Sequence, residues 1–285
     1  MTYESSIHQI PANHLIHSCR DQRVAVEVTP ASTGWDYLSF RVVTLRPGET
    51  ELHPTCDTEV AVVMISGRAT IRVAGKQFSL ARTNLFAEKP HVLYVPPGHE
   101  LEIEGMTDCE FALGAAPAEG KYPLRLIEPG EVRTEVRGGG SATRQVNHLL
   151  SHPLPAERLI LYEVFVPGGH WAGWPPHCHD GYQQSGYLEE TYYFRIDPSY
   201  GFGLHRNWRI DNEFDETFAV RNGDVVLVTQ GFHSTTAAPN CRLYFLNYLA
   251  GELADCDRGT PPFDEPSFAW IKQNWTANQL QLPLY

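Results

Sequence analysis

The sequence of 285 residues has no long hydrophobic run and little helical signal. No apolar stretch approaches the roughly 18 residues that a membrane-spanning helix needs. The first residues, Met1 to Glu4, lack the basic start and the apolar core of a secretory signal peptide. We therefore expect a cytoplasmic protein that does not enter a membrane.

Basic residues and paired cysteine motifs are also scarce. Lysine and arginine total 22, against 34 aspartate and glutamate residues, which gives a net charge of −12. Because nucleic-acid binding depends on neutralising phosphates, this balance argues against a nucleic-acid partner. The six cysteines include no CxxC spacing, which favours free thiols in a reducing compartment. If the substrate is an anion, the net negative charge of the protein repels it, and local cations or a metal would have to attract it.

Short strand-like segments separated by turns fill both halves of the sequence. Their spacing is typical of a sandwich or a barrel, so we predict an all-β protein. The order of segments in the first half repeats in the second, which indicates two copies of one barrel. The glycine-rich stretch 137–141 is the best candidate linker. We expect an N-terminal domain over residues 1–140 and a C-terminal domain over 141–285, with Pro266 to Asn278 as the main helix candidate.

The second half contains the residues that indicate a metal site. His177 and His179 stand one residue apart on an extended segment, so both can face the same side. A carboxylate opens a later strand, and His233 follows a glycine turn further on. Three imidazoles and one carboxylate suit a divalent metal and leave room for water or substrate. A lone histidine is usually an ordinary core or surface residue, but this combination is better explained by a metal.

Two adjacent glutamates compete for the carboxylate position. Neighbouring residues on a strand point to opposite faces, so only one of Glu189 and Glu190 can face a barrel interior. Glu190 would share its face with Tyr192 and Phe194, and we expect it to be the ligand. Glu189 would then be a charge at the rim or a hydrogen-bond partner of a ligand histidine.

The motifs around these residues resemble the cupin superfamily and, more narrowly, one family of isomerases. That family is the 5-deoxy-glucuronate isomerases of bacterial myo-inositol catabolism, whose sister group acts on 5-dehydro-4-deoxy-glucuronate from pectin. The resemblance lies in Pro-Pro-His-Cys-His-Asp at 175–180, Leu-Glu-Glu-Thr-Tyr-Tyr-Phe-Arg at 188–195, Gly-Phe-Gly-Leu at 201–204, Asp-Glu at 215–216, Ala-Val-Arg-Asn-Gly-Asp-Val-Val-Leu-Val at 219–228 and Tyr-Phe-Leu-Asn at 244–247.

Similarity to this family implies a tandem cupin, or bicupin, of two antiparallel jelly-roll-like β-barrels. His177, His179, Glu190 and His233 would hold one divalent ion of zinc, manganese, iron, cobalt or nickel, with zinc expected first. The implied reaction is an aldose–ketose isomerisation of a small sugar acid, 5-deoxy-D-glucuronate to 5-dehydro-2-deoxy-D-gluconate. We also expect a homo-oligomer. Ten residues, 180–189, separate the second histidine from the carboxylate ligand, which makes this segment a candidate lid.

The N-terminal copy has lost most of this constellation. His53 has no histidine partner two residues later, although Glu59 and His99 stand at comparable positions. Because two scattered groups do not hold a metal tightly, we expect the metal site of this copy to be degenerate and the copy itself to be structural.

The implied isomerisation needs a base next to a stabilised enediolate. A metal holds the developing negative charge, and a base near its operating pKa moves the proton between the two carbons. Glu190 would be catalytic through the metal. The base stays open among His205, Glu189 and a metal-bound hydroxide.

The substrate carboxylate needs a cationic partner. Arg195, Arg206 and Arg221 are candidates for a bidentate contact, and Tyr192 is a candidate aromatic contact. If Tyr192 points inward, strand alternation points Arg195 outward, towards solvent or an interface. By the same rule, only one of His205 and Arg206 can face the pocket.

Three other functions are consistent with the residues. The sister isomerase would use the same ligands on the pectin-derived sugar. A cupin dioxygenase would use them with iron and would consume oxygen. A sugar-binding regulatory cupin would need no turnover, but no helix-turn-helix segment supports a link to DNA.

Overall fold

Strands make up almost all the regular structure of the chain, which the computed structural model describes over residues 13–280 and 282–284. The predicted all-β class is therefore confirmed. The segment Met1 to Glu4, on which we based the absence of a signal peptide, lies outside the described residues. None of the helices found in the described part is both long and apolar enough to cross a membrane.

The strands of the first half follow one another closely along the chain. They are β1 (Leu15–Ile16), β2 (Val24–Val28), β3 (Ser39–Leu45), β4 (Thr50–Pro54), β5 (Thr58–Val73), β6 (Lys76–Arg82), β7 (Val92–Val95), β8 (Glu100–Gly105), β9 (Cys109–Pro117) and β10 (Arg125–Ile127).

The strands of the second half repeat much of this order. They are β11 (Arg133–Arg137), β12 (Arg144–His148), β13 (Ile160–Val166), β14 (Trp171–Cys178), β15 (Leu188–Asp197), β16 (Gly203–Trp208), β17 (Asp215–Val220), β18 (Val225–Val228), β19 (Phe232–Ala237), β20 (Arg242–Gly251) and β21 (Phe263–Asp264).

Helical structure is limited to short pieces. The helix α1 spans Pro30–Thr33, and 3-10 turns span Gly140–Ala142, Tyr182–Gln184, Asp257–Gly259 and Ala269–Gln273. The helix predicted over 266–278 is wrong, because this segment holds only the last of these turns. Trp275 in this segment packs instead against the backbone of Gly139.

The first barrel is built around the long strand β5. Its first half pairs with β7 and β9, and its second half pairs with β6 and β8, with a register shift between Met64 and Ser66. The bend lets one strand serve both faces of the barrel. The space inside is filled by aliphatic and aromatic side chains, including Val60, Leu93 and Phe111.

The second barrel consists of two separate antiparallel sheets. One has the strand order β1-β18-β15-β20-β13-β12-β11, and the other has the order β17-β16-β19-β14-β21. Both β1 and β11 thus pair within the second barrel, although they lie before residue 140. The boundary at residue 140 stays a prediction. The stretch 137–141 is not a linker but the tight connection of the β11–β12 hairpin, where Gly138 has a φ of 77°.

The large sheets of the two barrels pack face to face. The layer between them combines Phe40 and Val63 of the first barrel with Tyr193 and Tyr248 of the second. The Tyr248 hydroxyl donates to a backbone carbonyl of the first barrel, that of Ala61, at 3.1 Å. The two barrels therefore share a hydrophobic core.

Two buried glutamates connect the barrels in a reciprocal way. Glu59 accepts the backbone N–H groups of residues 157–159 at 2.6–2.8 Å. Glu189 accepts the backbone N–H groups of residues 36–38 at 2.7–3.0 Å. Both side chains are fully buried. Each carboxylate thus binds the chain segment that leads into a strand of the other barrel.

Replacing Glu189 with glutamine should lower the free energy of unfolding by about 3 kcal/mol. The amide leaves buried backbone donors without an acceptor, since its NH₂ group cannot take their place. Urea unfolding followed by circular dichroism measures this difference. The matched control is Glu102→Gln, whose carboxylate pairs with Arg72 at the surface, and its effect should stay below about 1 kcal/mol. Equal stability of the two variants would contradict the structural role of Glu189.

Candidate metal centre

A cavity of about 530 Å³ opens into the second barrel. Its walls come from the concave face of the large sheet, from β14 and from the C-terminal segment 258–275. A cavity of this size accommodates a small organic ligand. It also contains the residues on which the metal prediction depends.

Three buried side chains form a compact group at the cavity. Ligand atoms of His179, Glu190 and His233 all lie within 4.8 Å of one another. The Glu190 carboxylate is 2.9 Å from Nε2 of His179 and 3.3 Å from Nε2 of His233. The three residues come from the end of β14, from β15 and from the start of β19. Strand pairing thus brings together residues that are far apart in sequence.

Backbone contacts fix the orientation of His179. Its Nδ1 lies 2.9 Å from the carbonyl of Leu188, so Nδ1–H donates there and Nε2 faces Glu190. A ligand histidine usually donates its other ring N–H to a carbonyl or carboxylate in this way. The next residue, Asp180, accepts the backbone N–H of Gly231 at 2.7 Å. That bond joins the loops that present His179 and His233.

His177 lies beside this group rather than within it. It stands opposite His233 in the β14–β19 register, with ring centroids 4.5 Å apart, and it lines the cavity. Its ring nitrogens are not part of the compact group. His177 as the fourth ligand stays a prediction.

Burial controls the protonation of these groups. It lowers the pKa of His177 to about 3 and moves the pKa of His233 well below its ordinary value, with further lowering by the neighbouring histidines. Burial would also lower the pKa of His179, but the hydrogen bond and charge of Glu190 outweigh it and raise that pKa. Burial raises the pKa of Glu190 against the effect of His179. The neutral imidazoles at 177 and 233 are in the form that binds metals.

The donor set fits a divalent metal. Both ring nitrogens of His233 are buried and form no well-aligned hydrogen bond among the described residues, although Nε2 lies 3.3 Å from the Glu190 carboxylate. Such an unsatisfied group is costly in a protein interior. A metal ion between His233, His179 and Glu190 would satisfy it with ligands that zinc and other borderline metals prefer.

Two further predicted residues lie inside the same barrel. Tyr192 lines the cavity together with Glu190 and Asn247, and burial and the charge of Glu190 raise the pKa of its hydroxyl. His205 lies behind His233, with the two rings stacked 6.3 Å apart. Its ring nitrogens are 2.7 Å from the Thr235 hydroxyl and 2.8 Å from the Asn207 side-chain oxygen. Since both nitrogens are engaged, His205 is not available as the base.

Glu189 lies away from the cavity, contrary to the prediction that it could serve as the base. It stands on the face of β15 opposite to Glu190 and binds residues 36–38 of the first barrel. Burial raises its pKa, while these backbone hydrogen bonds oppose the rise. Its role is therefore structural.

The two arginines predicted to bind substrate also lie elsewhere. Nη1 of Arg195 donates to both carboxylate oxygens of Glu110 in the first barrel at 2.6 Å, so Arg195 is a charge at the interface between the barrels, as strand alternation predicted. Arg206 lies on the outer surface, where it pairs with Asp215 and stacks over Trp208. Neither arginine lines the cavity, so the prediction that they bind the substrate is wrong.

The first barrel has a valine where the second has its carboxylate ligand. Glu59 faces Ala116 in the β5–β9 pair as Glu189 faces Ala250 in the β15–β20 pair. Glu59 is therefore the counterpart of Glu189, and the counterpart of Glu190 is Val60. This valine belongs to the apolar core of the first barrel.

Several cavity residues were missed by the sequence reasoning. Asn247 and the cationic side chains Arg137, Arg144, Arg258 and Lys272 all line the cavity. The alternation of β12 and β20 could have placed Arg144 and Asn247 on an inner face. Nothing local in the sequence indicates that the C-terminal segment returns to the cavity with Lys272.

The candidate lid does not line the cavity apart from Leu188 at its end. Residues 180–187 are closed by a bridge between Asp180 and Tyr187 and by the bond from Leu188 N–H to the His179 carbonyl. Residues of the β11–β12 hairpin and of the C-terminal segment line the cavity instead.

Replacing His233 with alanine should weaken metal affinity by more than about tenfold, since even the loss of an outer partner costs about 10- to 100-fold. Metal analysis of the purified variant and wild type, after dialysis against a weak chelator, measures this. His170→Ala in the same barrel is the matched control, because within the described residues the His170 ring bonds only the nearby carbonyl of Gly168. Equal metal retention in His233→Ala and the control would exclude this site.

Several bacterial proteins are similar in sequence to this chain over most of its length. A 5-deoxy-glucuronate isomerase from Geobacillus kaustophilus (strain HTA426) is 39% identical over 266 residues, covering 92% of this chain and 95% of the relative. A protein of the same name from Bacillus subtilis (strain 168) is 31% identical over 251 residues, covering 86% and 91%.

Solved structures show the same architecture. An IolB-like protein from Salmonella typhimurium LT2 matches with a TM-score of 0.87 and 34% identity, covering 92% of this chain and 100% of that one. An oxalate decarboxylase from Lactobacillus farciminis matches with a TM-score of 0.63 and 14% identity, covering 94% and 92%, and shows the fold alone. The tandem cupin fold is thus confirmed. Since the model of the KduI/IolB family matches residues 14–271, this chain belongs to the KduI/IolB family.

Proposed function

We propose that the protein is a metal-dependent aldose–ketose isomerase that converts 5-deoxy-D-glucuronate to 5-dehydro-2-deoxy-D-gluconate. The observation that carries this proposal is the buried group of His179, Glu190 and His233 at an open cavity. The relatives at 31–39% identity that are named 5-deoxy-glucuronate isomerase support the choice of substrate.

His179, Glu190 and His233 would hold the metal, with His177 as a fourth ligand from the adjacent wall. A bound divalent ion supplies Lewis-acid stabilisation for the negative charge that develops on the substrate oxygens. The ion is one of zinc, manganese, iron, cobalt or nickel, all of which accept such a donor set.

Tyr192 is the group that we propose to exchange protons with the two substrate oxygens while hydrogen moves between C2 and C1. Both oxygens of Glu189 and both nitrogens of His205 are bonded within the protein, so neither is available at the cavity. The Tyr192 hydroxyl lies at the cavity beside Glu190 and Asn247 and holds a proton at Oη. It is placed to donate that proton to a substrate oxygen and to receive one back.

Two tryptophan side chains add apolar surface to the cavity wall and leave less room for water beside a bound substrate. Trp174 of β14 and Trp275 of the C-terminal segment both line the cavity, and Trp275 rests on the backbone of Gly139 in the β11–β12 hairpin. Excluding water strengthens the electrostatic contacts to the substrate and protects a reactive intermediate.

The sister reaction on 5-dehydro-4-deoxy-D-glucuronate is the second candidate, because one family model covers the KduI and IolB groups together. Both substrates are small sugar acids, so the ligand set alone does not separate them. We also propose a cytoplasmic location, since both relatives are bacterial enzymes named for a sugar-acid isomerisation. The homo-oligomer stays a prediction.

The purified metal-loaded protein should convert 5-deoxy-D-glucuronate under air and under nitrogen at the same rate. Proton NMR of the reaction, with an oxygen electrode in parallel, measures conversion and oxygen use. The pectin-derived sugar acid is tested in the same way. Oxygen-dependent turnover would indicate a dioxygenase, and absence of conversion of both sugars would refute the isomerase.

Replacing Tyr192 with phenylalanine should lower kcat by about 100-fold or more, because it removes the hydroxyl and leaves the ring in place. Metal content should remain at the wild-type level. His99→Ala in the first barrel is the control and should leave turnover nearly unchanged. A Tyr192→Phe enzyme with wild-type kcat would show that the proton moves through another group.

A further inference from the structure

We propose that Arg144 binds the carboxylate of the sugar acid and so selects uronates over neutral sugars. This inference rests on the proposed isomerase function and concerns the same cavity. It replaces the arginines that the sequence suggested, which the structure places outside the cavity.

Arg144 lies on the same concave face as the metal-binding group. It stands at the start of β12, two residues before Val146, and Glu190 stands on β15, four residues before Phe194. Side chains two or four residues apart on a strand share a face. Paired residues connect β12 to β15 through β13 and β20, and residues paired in this way share a face of the sheet. The connecting row is Val146, Val164, Phe245 and Phe194. Arg144 and Glu190 both line the cavity.

Two other cations of the cavity already have carboxylate partners. Arg137 binds Glu135 at 2.6 Å, and Lys272 pairs with Asp264. A cation that is neutralised by the protein gains less from a second carboxylate. Neither is the best anchor for a substrate.

Arg258 is also satisfied within the protein. It is buried, and its Nε, Nη1 and Nη2 atoms donate to the backbone carbonyls of Leu159, Asp255 and Leu154. These bonds hold the C-terminal segment in place. They leave few donors for a ligand.

Arg144 has unused hydrogen-bond donors. Its Nη1 donates to the carbonyl of Ala142 at 3.1 Å, and over the described residues no carboxylate forms an ion pair with it. Burial and the nearby charge of Arg137 lower the pKa of Arg144 to about 10. A bound carboxylate would relieve both effects through a charge-assisted, bidentate contact.

Arg144 shares the cavity with the residues of the reaction site. His177 and Tyr192 line the same cavity. Two strands, β20 and β13, lie between β15 and β12, so Glu190 and Arg144 reach the cavity from well-separated strands.

The glycine-rich hairpin makes room for this guanidinium. A Cβ atom on Gly138 would lie 2.8 Å from Nη1 of Arg144 and 2.2 Å from the Ala142 carbonyl oxygen. Gly138 also has a φ of 77°, which side chains rarely adopt. This explains why position 138 is a glycine.

The arrangement matches the two ends of the proposed substrate. The reacting carbons C1 and C2 lie at one end of the six-carbon chain, and the carboxylate lies at the other. Glu190 and its histidine neighbours would hold the reacting end, and Arg144 would hold the carboxylate across the cavity. In an acidic protein with a net charge of −12, this local cation offsets the repulsion of an anionic substrate.

The test compares two substrates on wild-type, Arg144→Gln and Arg144→Lys holoenzymes. One substrate is 5-deoxy-D-glucuronate, and the other is 5-deoxy-D-glucose, which has a neutral hydroxymethyl group in place of the carboxylate. For Arg144→Gln we expect kcat/KM on the uronate to fall by about 100-fold, mostly through KM, and kcat/KM on the neutral sugar to change by less than about threefold. For Arg144→Lys, kcat/KM on the uronate should lie between the values of wild type and Arg144→Gln. Lysine keeps the positive charge but lacks the planar guanidinium that contacts both carboxylate oxygens.

Arg242→Gln is the matched control, because Arg242 pairs with Asp197 on the exposed surface of the same barrel. It should leave both substrates unaffected. An equal loss on both sugars for Arg144→Gln, or no loss on the uronate, would overturn the assignment. Metal content and thermal melting of each variant show whether a loss arises from misfolding.

A binding measurement separates this inference from the proposed reaction. Calorimetric titration of each holoenzyme with D-glucuronate should show binding to wild type that weakens by more than about tenfold in Arg144→Gln. If wild type fails to isomerise either sugar acid yet shows this difference, the reaction is wrong and the carboxylate site is right. Equal binding of D-glucuronate to wild type and Arg144→Gln would refute the site.

Discussion

Glu59 and Glu189 fix the position of the two barrels relative to each other, because each binds backbone N–H groups of the other barrel. Each carboxylate is fully buried and holds three donors of the other barrel, so neither barrel can shift without leaving charged or polar groups unsatisfied. The contact also fixes the register of the strands that contain the two glutamates. Because Glu189 must face the first barrel, strand alternation turns Glu190 into the cavity of the second. The interface between the barrels therefore determines which carboxylate meets the histidines.

The same strand position explains why the two barrels differ. Glu59 preserves the contact between the barrels, while its neighbour Val60 replaces the carboxylate ligand with a core side chain. The first barrel keeps the interaction that assembles the fold and has a hydrophobic interior. Two cross-barrel ion pairs follow the same reciprocal pattern, one from Arg82 to Glu163 and one from Arg195 to Glu110. One barrel can thus be a scaffold for the chemistry of the other.

The parts of this structure that depend on local pattern could be predicted from sequence. The short strands, their repeat and the opposite faces of Glu189 and Glu190 all follow from alternation along a strand. The contacts made by Glu189 could not be predicted, since its partners at 36–38 lie about 150 residues away along the chain. The glycines at 138–140 resembled a linker because glycine has no side chain and so shows no alternation of apolar and polar residues. In the structure they connect β11 to β12 in a hairpin beside Arg144. Alternation alone also does not tell whether an arginine such as Arg206 meets a substrate or a surface carboxylate.

We expect one metal ion in the second barrel and none in the first. Anomalous diffraction from crystals of the protein loaded with manganese or cobalt, recorded on either side of the metal absorption edge, tests this most directly. A single strong peak should lie between the side chains of His179, Glu190 and His233. A peak inside the first barrel near Val60, or no peak beside Glu190 in metal-loaded crystals, would contradict this expectation.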